Sequence, residues 1–227
     1  MDDKNINIAI DGFSSCGKST LAQGLAKELG FNYVDSGAMY RAVTLYALRS
    51  GLNDSNYAEI VNHLSDIHIE CKWTATGNKI YLHDEDISAS IRKPEVQNLV
   101  SQISTLSDVR RFLVKQQRKM ANPGGVVMDG RDIGTKVLPD AELKIFMTAS
   151  HEVRVQRRLK ELIEKGIQIS EAEISENLKM RDYIDSTRKD SPLTMALDAH
   201  ILDNSYLNHD EQLAVAKTWA LAKIKIR

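Results

Sequence analysis

A glycine-rich run at residues 11–22, DGFSSCGKSTLA, constrains the fold of this chain more than any other feature of its sequence. The run contains the pattern G-x-x-x-x-G-K-[ST], which begins at Gly12 and places its lysine at Lys18. The apolar residues before it predict a short buried strand, and leucines recur after it at helical spacing as far as Gly30. A strand, a glycine-rich loop and a helix in this order are the context in which the pattern forms a phosphate-binding loop. An ordinary glycine-containing turn is the alternative interpretation.

The chemistry of such a loop indicates a nucleoside triphosphate ligand. Consecutive backbone N–H groups cradle an anion, and the N-terminus of the following helix adds partial positive charge. Lys18 would reach the β- and γ-phosphates, and the Ser19 hydroxyl would contact Mg²⁺. The residues predicted to bind the triphosphate, hereafter the phosphate loop, are Gly12, Phe13, Ser14, Ser15, Cys16, Gly17, Lys18, Ser19 and Thr20. The loop alone does not indicate what happens to the nucleotide.

The composition excludes several other classes of protein. A chain of 227 residues is long enough for one sizeable core, and its net charge of -1 gives no basic field for nucleic acid. No stretch approaches the ~20 apolar residues of a membrane span, and the acidic N-terminus is unlike a signal peptide. Cys16, Cys71 and the six scattered histidines lack metal-ligand spacing. These observations favour a cytoplasmic protein with no metal cage built from its own side chains.

The order of predicted elements indicates a parallel α/β sheet. Short β-prone runs at 5–10, 31–35, 125–129, 143–147 and 200–203 alternate with helical patterns. Two regions interrupt the alternation. Residues 67–91 contain two β-prone runs separated by TGN, which predicts a small antiparallel insertion. Residues 151–190, hereafter the lid segment, are dense in charge and predict exposed helices that move as a flap.

Polar side chains follow two of the predicted strands. Ser36 comes directly after the second strand and is predicted to cap the next helix, which carries Arg41. The third strand leads into Asp129, Gly130, Arg131 and Asp132. The carboxyl ends of parallel strands face the ligand crevice, so we expect these groups to face the phosphate loop. The alternatives are a surface arginine at 41 and a plain turn at 129–132.

Basic residues are concentrated in two helical regions. Most of those in residues 94–121 are expected to form a solvated face, with one or two of functional importance; they include Arg110, Arg111, Lys115, Arg118 and Lys119. In the lid segment, arginines share helical faces at 154, 157 and 158 and again at 181 and 188. Surface salt bridges would explain the alternation of charge there. They would not explain the preference for arginine, which suits bidentate phosphate contacts.

Taken together, these stretches resemble the bacterial cytidylate kinases, a branch of the nucleoside monophosphate kinases. The most specific matches are DSGAMYR at 35–41, DGRDIGT at 129–135 and RDYIDSTR at 181–188, and matching stretches run in family order along nearly the whole chain. Two departures lie in the phosphate loop. Phe13 stands where the family commonly has proline, and the polar SSC replaces alanine and glycine.

The resemblance implies the fold of P-loop nucleoside monophosphate kinases, with a five-stranded parallel sheet flanked by helices. It divides the single domain into a core (1–35, 123–150 and 191–227), a monophosphate-binding region with the β insertion (36–122) and a mobile lid (151–190). It implies transfer of a phosphoryl group from ATP to CMP or dCMP, with Mg²⁺ accompanying ATP. The expected partners are these small molecules, with no nucleic acid and no membrane, and the expected state is a monomer.

The resemblance also implies roles for individual residues. The catalytic cations would be Lys18, Arg131, Arg181 and Arg188, with Arg157 or Arg158 closing over ATP. Asp132 would accept from the cytosine amino group while Arg110 and Ser101 donate, and Asp185 would contact the ribose. The full set implied to bind CMP is Ser36, Arg41, Ser101, Arg110, Asp129, Arg131, Asp132, Arg181, Asp185 and Arg188. No general base is needed, because a monophosphate with a pKa of about 6 is already largely a dianion at neutral pH.

Two other functions are compatible with the phosphate loop. One is another small-metabolite kinase of the UMP or shikimate type. The other is a nucleotide-dependent switch that binds a protein partner, although the sequence lacks the N-K-x-D motif usual in GTPases. Phosphoryl transfer that depends on CMP would separate the first interpretation from both.

Overall fold

A computed structural model describes residues 6–74, 77–164 and 166–226. Five parallel strands form the central sheet in the order β2-β6-β1-β7-β8, and a second, antiparallel sheet has the order β3-β4-β5. This confirms the α/β fold expected from the sequence. The strands are β1 Asn7–Gly12, β2 Asn32–Asp35, β3 Ile69–Thr74, β4 Gly77–Leu82, β5 Glu85–Asp86, β6 Val126–Gly130, β7 Leu143–Thr148 and β8 His200–Asp203.

Helices cover both faces of the central sheet. They are α1 Lys18–Leu29, α2 Ser36–Arg49, α3 Pro94–Ile103, α4 Ser107–Ala121, α5 His151–Glu164, α6 Glu171–Thr187 and α7 His209–Ile226. Alternate residues of a strand point to opposite faces. Ile8 and Ile10 therefore pack with α1 and α7, whereas Ala9 packs in the larger cluster with α2, α3 and α4. The result is a three-layer arrangement with the sheet buried in the middle.

The carboxyl ends of the parallel strands meet along one edge of the sheet. In β1, Asp11 pairs with Gly130 on one side and Gly12 pairs with Met147 on the other. Gly12 has a φ of +147°, and a Cβ built there would lie 2.0 Å from the carbonyl oxygen of Met147. Only glycine fits such a close approach of two backbones. The phosphate loop therefore leaves the sheet between β6 and β7, at the edge where parallel sheets bind ligands.

The predicted antiparallel insertion is present. Strands β3 and β4 pair from Ile69 opposite Leu82 to Thr74 opposite Gly77, and β5 extends the sheet. Ile69, Ile80 and Leu82 are buried in the cluster that includes α2. Thr76 of the TGN turn lies outside the described residues.

The helix start at Ser36 differs from the prediction. The N-cap is Asp35, whose Oδ1 accepts a hydrogen bond from the Ala38 N–H at 2.7 Å. Ser36 is instead the first helical residue, and its hydroxyl donates to the Asp129 carbonyl oxygen at 2.6 Å. Both residue types are good caps, so the sequence did not distinguish them.

The lid segment forms two helices, α5 and α6, as expected from its charge pattern. It also contains a small apolar cluster of its own, formed by Val155, Leu162, Ile174 and Leu178. Within the described ranges, no helix is both long enough and apolar enough to cross a membrane.

Candidate active site

The phosphate loop has the shape its sequence predicts. Gly17 adopts a φ of +91° immediately before α1, and Ser15 has a φ of 58°. Lys18, only 5% exposed, donates from Nζ to the Phe13 carbonyl oxygen at 2.6 Å and lies 3.6 Å from Cys16 Sγ. Burial, together with the positive charge of Arg131, lowers the pKa of Lys18. The ammonium group is thus held inside the loop, where an anion would relieve both effects.

Phe13, which replaces the proline common in the resembling family, has a packing role. Its ring meets Phe146 edge-on, with centroids 5.8 Å apart, and the Arg154 guanidinium lies 5.3 Å from its centroid. Arg154 also donates to the Ser14 carbonyl oxygen at 3.2 Å. The sequence placed Arg154 on the same helical face as residues 157 and 158 but did not assign it to the site.

Asp182 is a second contact that sequence reasoning missed. Its Oδ1 accepts the Ser14 backbone N–H at 3.0 Å, and its Oδ2 accepts from Arg154. Asp182 belongs to the RDYIDSTR motif, but nothing in the residue pattern shows what it faces. Through Arg154 and Asp182, both lid helices contact the phosphate loop.

The two lid arginines predicted to cover ATP have different surroundings. Arg157 donates to the side-chain oxygen of Asn204 at 3.0 Å and lies 3.5 Å from the Cys16 carbonyl oxygen. Arg158 pairs with Glu161 at 2.8 Å, and its charge contributes to lowering the pKa of Arg181. Arg157 is therefore next to the phosphate loop, and Arg158 is oriented towards the arginine cluster described below.

Asp129 lies at the carboxyl end of β6, beside the first turn of α1. Its Oδ2 accepts from the Ser19 hydroxyl at 2.9 Å, and its Oδ1 accepts from the Tyr33 hydroxyl at 2.7 Å. Burial, reinforced by the charge of Asp35, raises the pKa of Asp129 to about 6.

Asp35 itself pairs with Arg41 at 2.9 Å, so the Arg41 guanidinium faces the site rather than solvent alone. Thr20, by contrast, is exposed.

The chemistry of this corner fits a magnesium ion. The described ranges contain no group of three or more His, Cys, Asp or Glu residues that could hold a metal. A hydroxyl from Ser19 and a carboxylate from Asp129 are oxygen donors, and Mg²⁺ is commonly held by one or two protein oxygens together with substrate phosphates.

Three arginines predicted to act in catalysis lie together around Asp185. Arg131 donates to Asp185 at 2.7 Å and to the Ser14 hydroxyl at 3.0 Å. Arg188 donates to the other oxygen of Asp185 at 3.3 Å. The Nε atom of Arg181 is buried and has no hydrogen-bond partner among the described residues, and burial and the charge of Arg131 lower the pKa of Arg181 to about 10. The cluster has more positive charge than Asp185 neutralises, which favours a bound anion.

Further from the phosphate loop, Asp132 and Arg110 form a buried pair at 2.5 Å, with Arg188 Nη2 3.5 Å from the free oxygen of Asp132. Arg110 also donates to the Ser104 carbonyl oxygen at 3.1 Å and lies 5.5 Å from the Tyr40 ring centroid. Ser101 is buried one turn before Ser104 in the α3 region. This end of the site therefore offers both a fixed donor and a fixed acceptor.

Comparison with known proteins gives the context for this geometry. The family model "Cytidylate kinase" matches residues 8–220. The chain belongs to the cytidylate kinase family. A cytidylate kinase of Bacteroides fragilis is 52% identical over 225 residues, covering 97% of this chain and 96% of the relative. Cytidylate kinases of Flavobacterium johnsoniae (51% identity; 93% and 94% coverage) and Lactiplantibacillus plantarum (46% identity; 96% and 94% coverage) are similar over comparable lengths.

Membership of the cytidylate kinase family agrees with the arrangement of the site. The three motifs that carried the resemblance, at 35–41, 129–135 and 181–188, lie in separate parts of the chain. The fold brings their side chains together at one edge of the sheet, where Arg41 pairs with Asp35 and Arg131 with Asp185. As a kinase of this family, the protein catalyses ATP-dependent phosphoryl transfer.

Proposed function

We propose that this protein transfers the γ-phosphoryl group of ATP to a phosphate oxygen of CMP or dCMP, giving ADP and CDP or dCDP. The observation that carries the proposal is the group of arginines beside the phosphate loop, in which the buried Nε atom of Arg181 has no hydrogen-bond partner within the described ranges. Two highly charged phosphates have to approach each other in this reaction. The main task of the protein is to align them and to offset their repulsion.

The chain supplies cations on both sides of the transferred group. Lys18 serves the ATP phosphates from inside the loop. Arg41, Arg131 and Arg188 serve the monophosphate, and Arg181 is close enough to Arg131 to follow charge as it moves between the two. Such fixed positive groups stabilise a transition state without reorganisation.

Ser19 and Asp129 are the residues that would hold Mg²⁺, together with phosphate oxygens of ATP. The ion supplies positive charge that offsets the charge of the triphosphate. Tyr33 keeps the Asp129 carboxylate oriented towards Ser19. Asp129 was first predicted to bind CMP; its position beside Ser19 favours a role on the ATP side.

Base selection follows from hydrogen-bond polarity. Cytosine presents an amino donor at N4 and acceptors at N3 and O2. Asp132 would accept from N4, because a carboxylate has room for more acceptor contacts than the one that Arg110 occupies. Arg110 and Ser101 would donate to the acceptors. Uracil presents a carbonyl in place of the amino group and would face the carboxylate unfavourably.

Closure of the lid segment over ATP completes the proposed cycle. Arg157 already lies beside the loop, polar contacts join the α5–α6 pair to the loop, and the pair has a small apolar cluster of its own. Closure would exclude water, which otherwise competes as the phosphoryl acceptor. The boundaries of the lid and of the monophosphate-binding region, the monomeric state and the cytoplasmic location stay predictions of the sequence.

A panel of acceptors tests the proposal. ADP release is measured with ATP and Mg²⁺ in the presence of CMP, dCMP, UMP, AMP or shikimate, and with no acceptor. We expect rapid turnover with CMP or dCMP and only slow hydrolysis without an acceptor. Preferential turnover with UMP or shikimate, or hydrolysis that ignores every acceptor, would refute the assignment. The kinases of other small metabolites and the nucleotide-dependent switch are not favoured by the family membership.

A further inference from the structure

A basic cavity shares Arg110 with the base end of the candidate active site, and its other lining residues have no role assigned there. It has a volume of about 490 Å³ and lies between α4, Lys136 and residues 190–191. Arg110 and Val114 contribute to its wall. Cavities of this size accommodate metabolite-sized ligands. Five cations line the cavity with a single carboxylate, Asp190: they are Arg110, Arg111, Lys115, Arg118 and Lys136.

Most of this positive charge is not neutralised. Arg110 pairs with Asp132, and Arg111 pairs with Asp108. In the described part of the chain, the ammonium groups of Lys115 and Lys136 form no ion pair or hydrogen bond.

Asp190 is the counter-charge within the cavity. Hydrogen bonds from Ser191 and Ser107, followed by the charges of Arg110 and Lys136, lower its pKa, so it remains ionised. Lys115, Arg118 and Lys136 together still exceed this one negative charge. A ligand that balances them carries at least two negative charges.

Arg118 is held in place before any ligand binds. Its Nε donates to the Val137 carbonyl oxygen at 3.0 Å, and its Nη2 donates to the Lys136 carbonyl oxygen at 2.7 Å. Backbone carbonyls orient the guanidinium but leave its positive charge uncompensated. A fixed arginine with free donors suits a phosphate group, because less side-chain entropy is lost on binding.

Arg110 provides a second sign of an incomplete environment. Its side chain is 2% exposed, and its Nε atom has no hydrogen-bond partner among the described residues. Buried polar atoms are normally satisfied. Arg110 lines the cavity and also pairs with Asp132 at the base end of the candidate active site, so a ligand in the cavity would act on both.

We propose that this cavity is a second anion site, which binds a polyphosphate chain and thereby weakens binding of the monophosphate substrate. The inference rests on the proposed function only for its regulatory consequence. A polyphosphate beside Arg110 competes with Asp132 for the guanidinium. It also acts on Ser191, whose carbonyl oxygen accepts from Arg188 Nε at 2.8 Å.

Two sources supply such a polyphosphate, a free inorganic chain and the triphosphate of a nucleotide. The chemistry that recognises them is the same: several closely spaced negative charges on tetrahedral phosphates. The apolar side chain of Val114 offers contact to a base in the second case.

Calorimetric titration with sodium tripolyphosphate, in the absence of Mg²⁺ and of CMP, tests the site directly. The wild-type protein is expected to bind tripolyphosphate in the cavity in addition to the phosphate loop and the arginine cluster around Asp185. Lys18→Ala is expected to retain the cavity site. Lys115→Gln combined with Lys136→Gln is expected to weaken the cavity site at least tenfold; both lysines are exposed, and among the described residues neither ammonium group forms an ion pair or a hydrogen bond.

The matched control is Lys27→Gln combined with Lys119→Gln, which removes the same charge from exposed positions outside the cavity. Binding in this control is expected to equal that of wild type. Equal losses in the two double variants, or no binding to Lys18→Ala, would overturn the proposal.

Titration of Lys18→Ala with ATP identifies the source of the ligand. An affinity equal to that of tripolyphosphate indicates recognition of a phosphate chain alone, and tighter binding of ATP indicates a nucleotide. Single-stranded RNA that binds this face while tripolyphosphate does not would also overturn it.

Steady-state kinetics at saturating ATP and excess Mg²⁺ test the regulatory consequence. Tripolyphosphate is expected to raise the KM for CMP about fivefold or more, a typical coupling between sites, with little change in kcat. The Lys115→Gln and Lys136→Gln double variant is expected to lose this effect. An equal effect in that variant would mean direct competition at the acceptor site and would overturn the coupling. A protein that binds tripolyphosphate in the cavity but does not phosphorylate CMP would refute the proposed function and leave the anion site standing.

Discussion

Asp132→Asn separates base recognition from structural support more sharply than any other single change in the candidate site. Asp132 is 4% exposed and lies 2.5 Å from Arg110 and 3.5 Å from Arg188. The substitution keeps the volume and removes the negative charge. It therefore changes both the balance of two buried guanidiniums and the polarity offered to the base.

The effect on stability follows from the contacts that remain. Removing one partner of a buried ion pair costs about 3–5 kcal/mol. Arg110 keeps the Ser104 carbonyl oxygen, and Arg188 keeps Asp185 and the Ser191 carbonyl oxygen. We therefore expect a loss near the lower end, about 3 kcal/mol, or roughly 6–12 °C in Tm for a chain of this size.

The substitution should also lower the selectivity for CMP over UMP. With CMP the variant loses a charge-assisted hydrogen bond of about 1.5–3 kcal/mol, which lowers kcat/KM roughly 10- to 140-fold. With UMP it loses a repulsion, because an asparagine amide can turn its N–H₂ towards a carbonyl. The ratio of kcat/KM for CMP to kcat/KM for UMP should therefore fall roughly 30- to 700-fold, which corresponds to about 2–4 kcal/mol, with the KM for ATP nearly unchanged.

The assay is ADP release with each monophosphate, at a temperature well below the lowered Tm. The matched control is Asp198→Asn. The Asp198 side chain is 65% exposed, and its carboxylate pairs with Lys144 at 2.9 Å. Its CMP-to-UMP ratio should equal that of wild type. If Asp132→Asn lowers activity on both monophosphates by one factor, Asp132 only positions Arg110 and Arg188. Base recognition would then belong to Arg110 and Ser101.

Three further outcomes are expected. Lys18→Ala should lower kcat at least about 100-fold while the thermal melt shows an intact fold, because a fixed cation is lost beside the transferred group; near wild-type turnover would exclude this loop from catalysis. Hydrogen exchange in residues 151–190 should be fast in the free protein and slower with ATP and CMP together; uniformly slow exchange that the ligands leave unchanged would contradict a closing lid. The native protein holds a proton on Asp129 up to a pKa of about 6, above that of the unfolded chain, so this carboxyl group should contribute a fall of about 2–3 kcal/mol in the free energy of unfolding as pH rises from about 4 to about 6. Asp129→Asn should make that fall smaller, as measured by urea unfolding at several pH values, and an unchanged pH profile would contradict the raised pKa.

The elements that could be predicted from the sequence are those whose signals are local. The apolar runs located the strands of the central sheet to within two residues, and Gly30 ends α1 as expected, since it provides the left-handed C-cap. The meeting of the 35–41 and 129–135 motifs followed from one general rule about the carboxyl ends of parallel strands, whereas the 181–188 motif lies at the C-terminal end of α6 and only the fold brings it to Arg131.

The parts that were missed depend on what lies opposite a side chain. Helical spacing placed Arg154 on a face of α5, but only the fold shows that this face meets Phe13 and the Ser14 carbonyl oxygen. Asp182 could not be predicted as a site residue either, because its partner is a backbone N–H group some 168 residues earlier in the chain. Arg110 lies in a run of basic residues and resembles its exposed neighbours in sequence. It is buried because it faces Asp132 and the Tyr40 ring.

The cations of the site are oriented by carboxylates and carbonyls of the chain itself. Arg131 forms an ion pair with Asp185, Arg110 with Asp132 and Arg154 with Asp182. Each carboxylate fixes a guanidinium whose side chain would otherwise lose considerable rotamer entropy on meeting a phosphate. The Arg110–Asp132 pair is buried on both sides and lies outside the lid segment, so its ordering is complete when the protein folds and does not recur in each catalytic cycle. A chain with a net charge of only -1 can therefore present a strongly positive site, since the acidic residues that balance its arginines also position them.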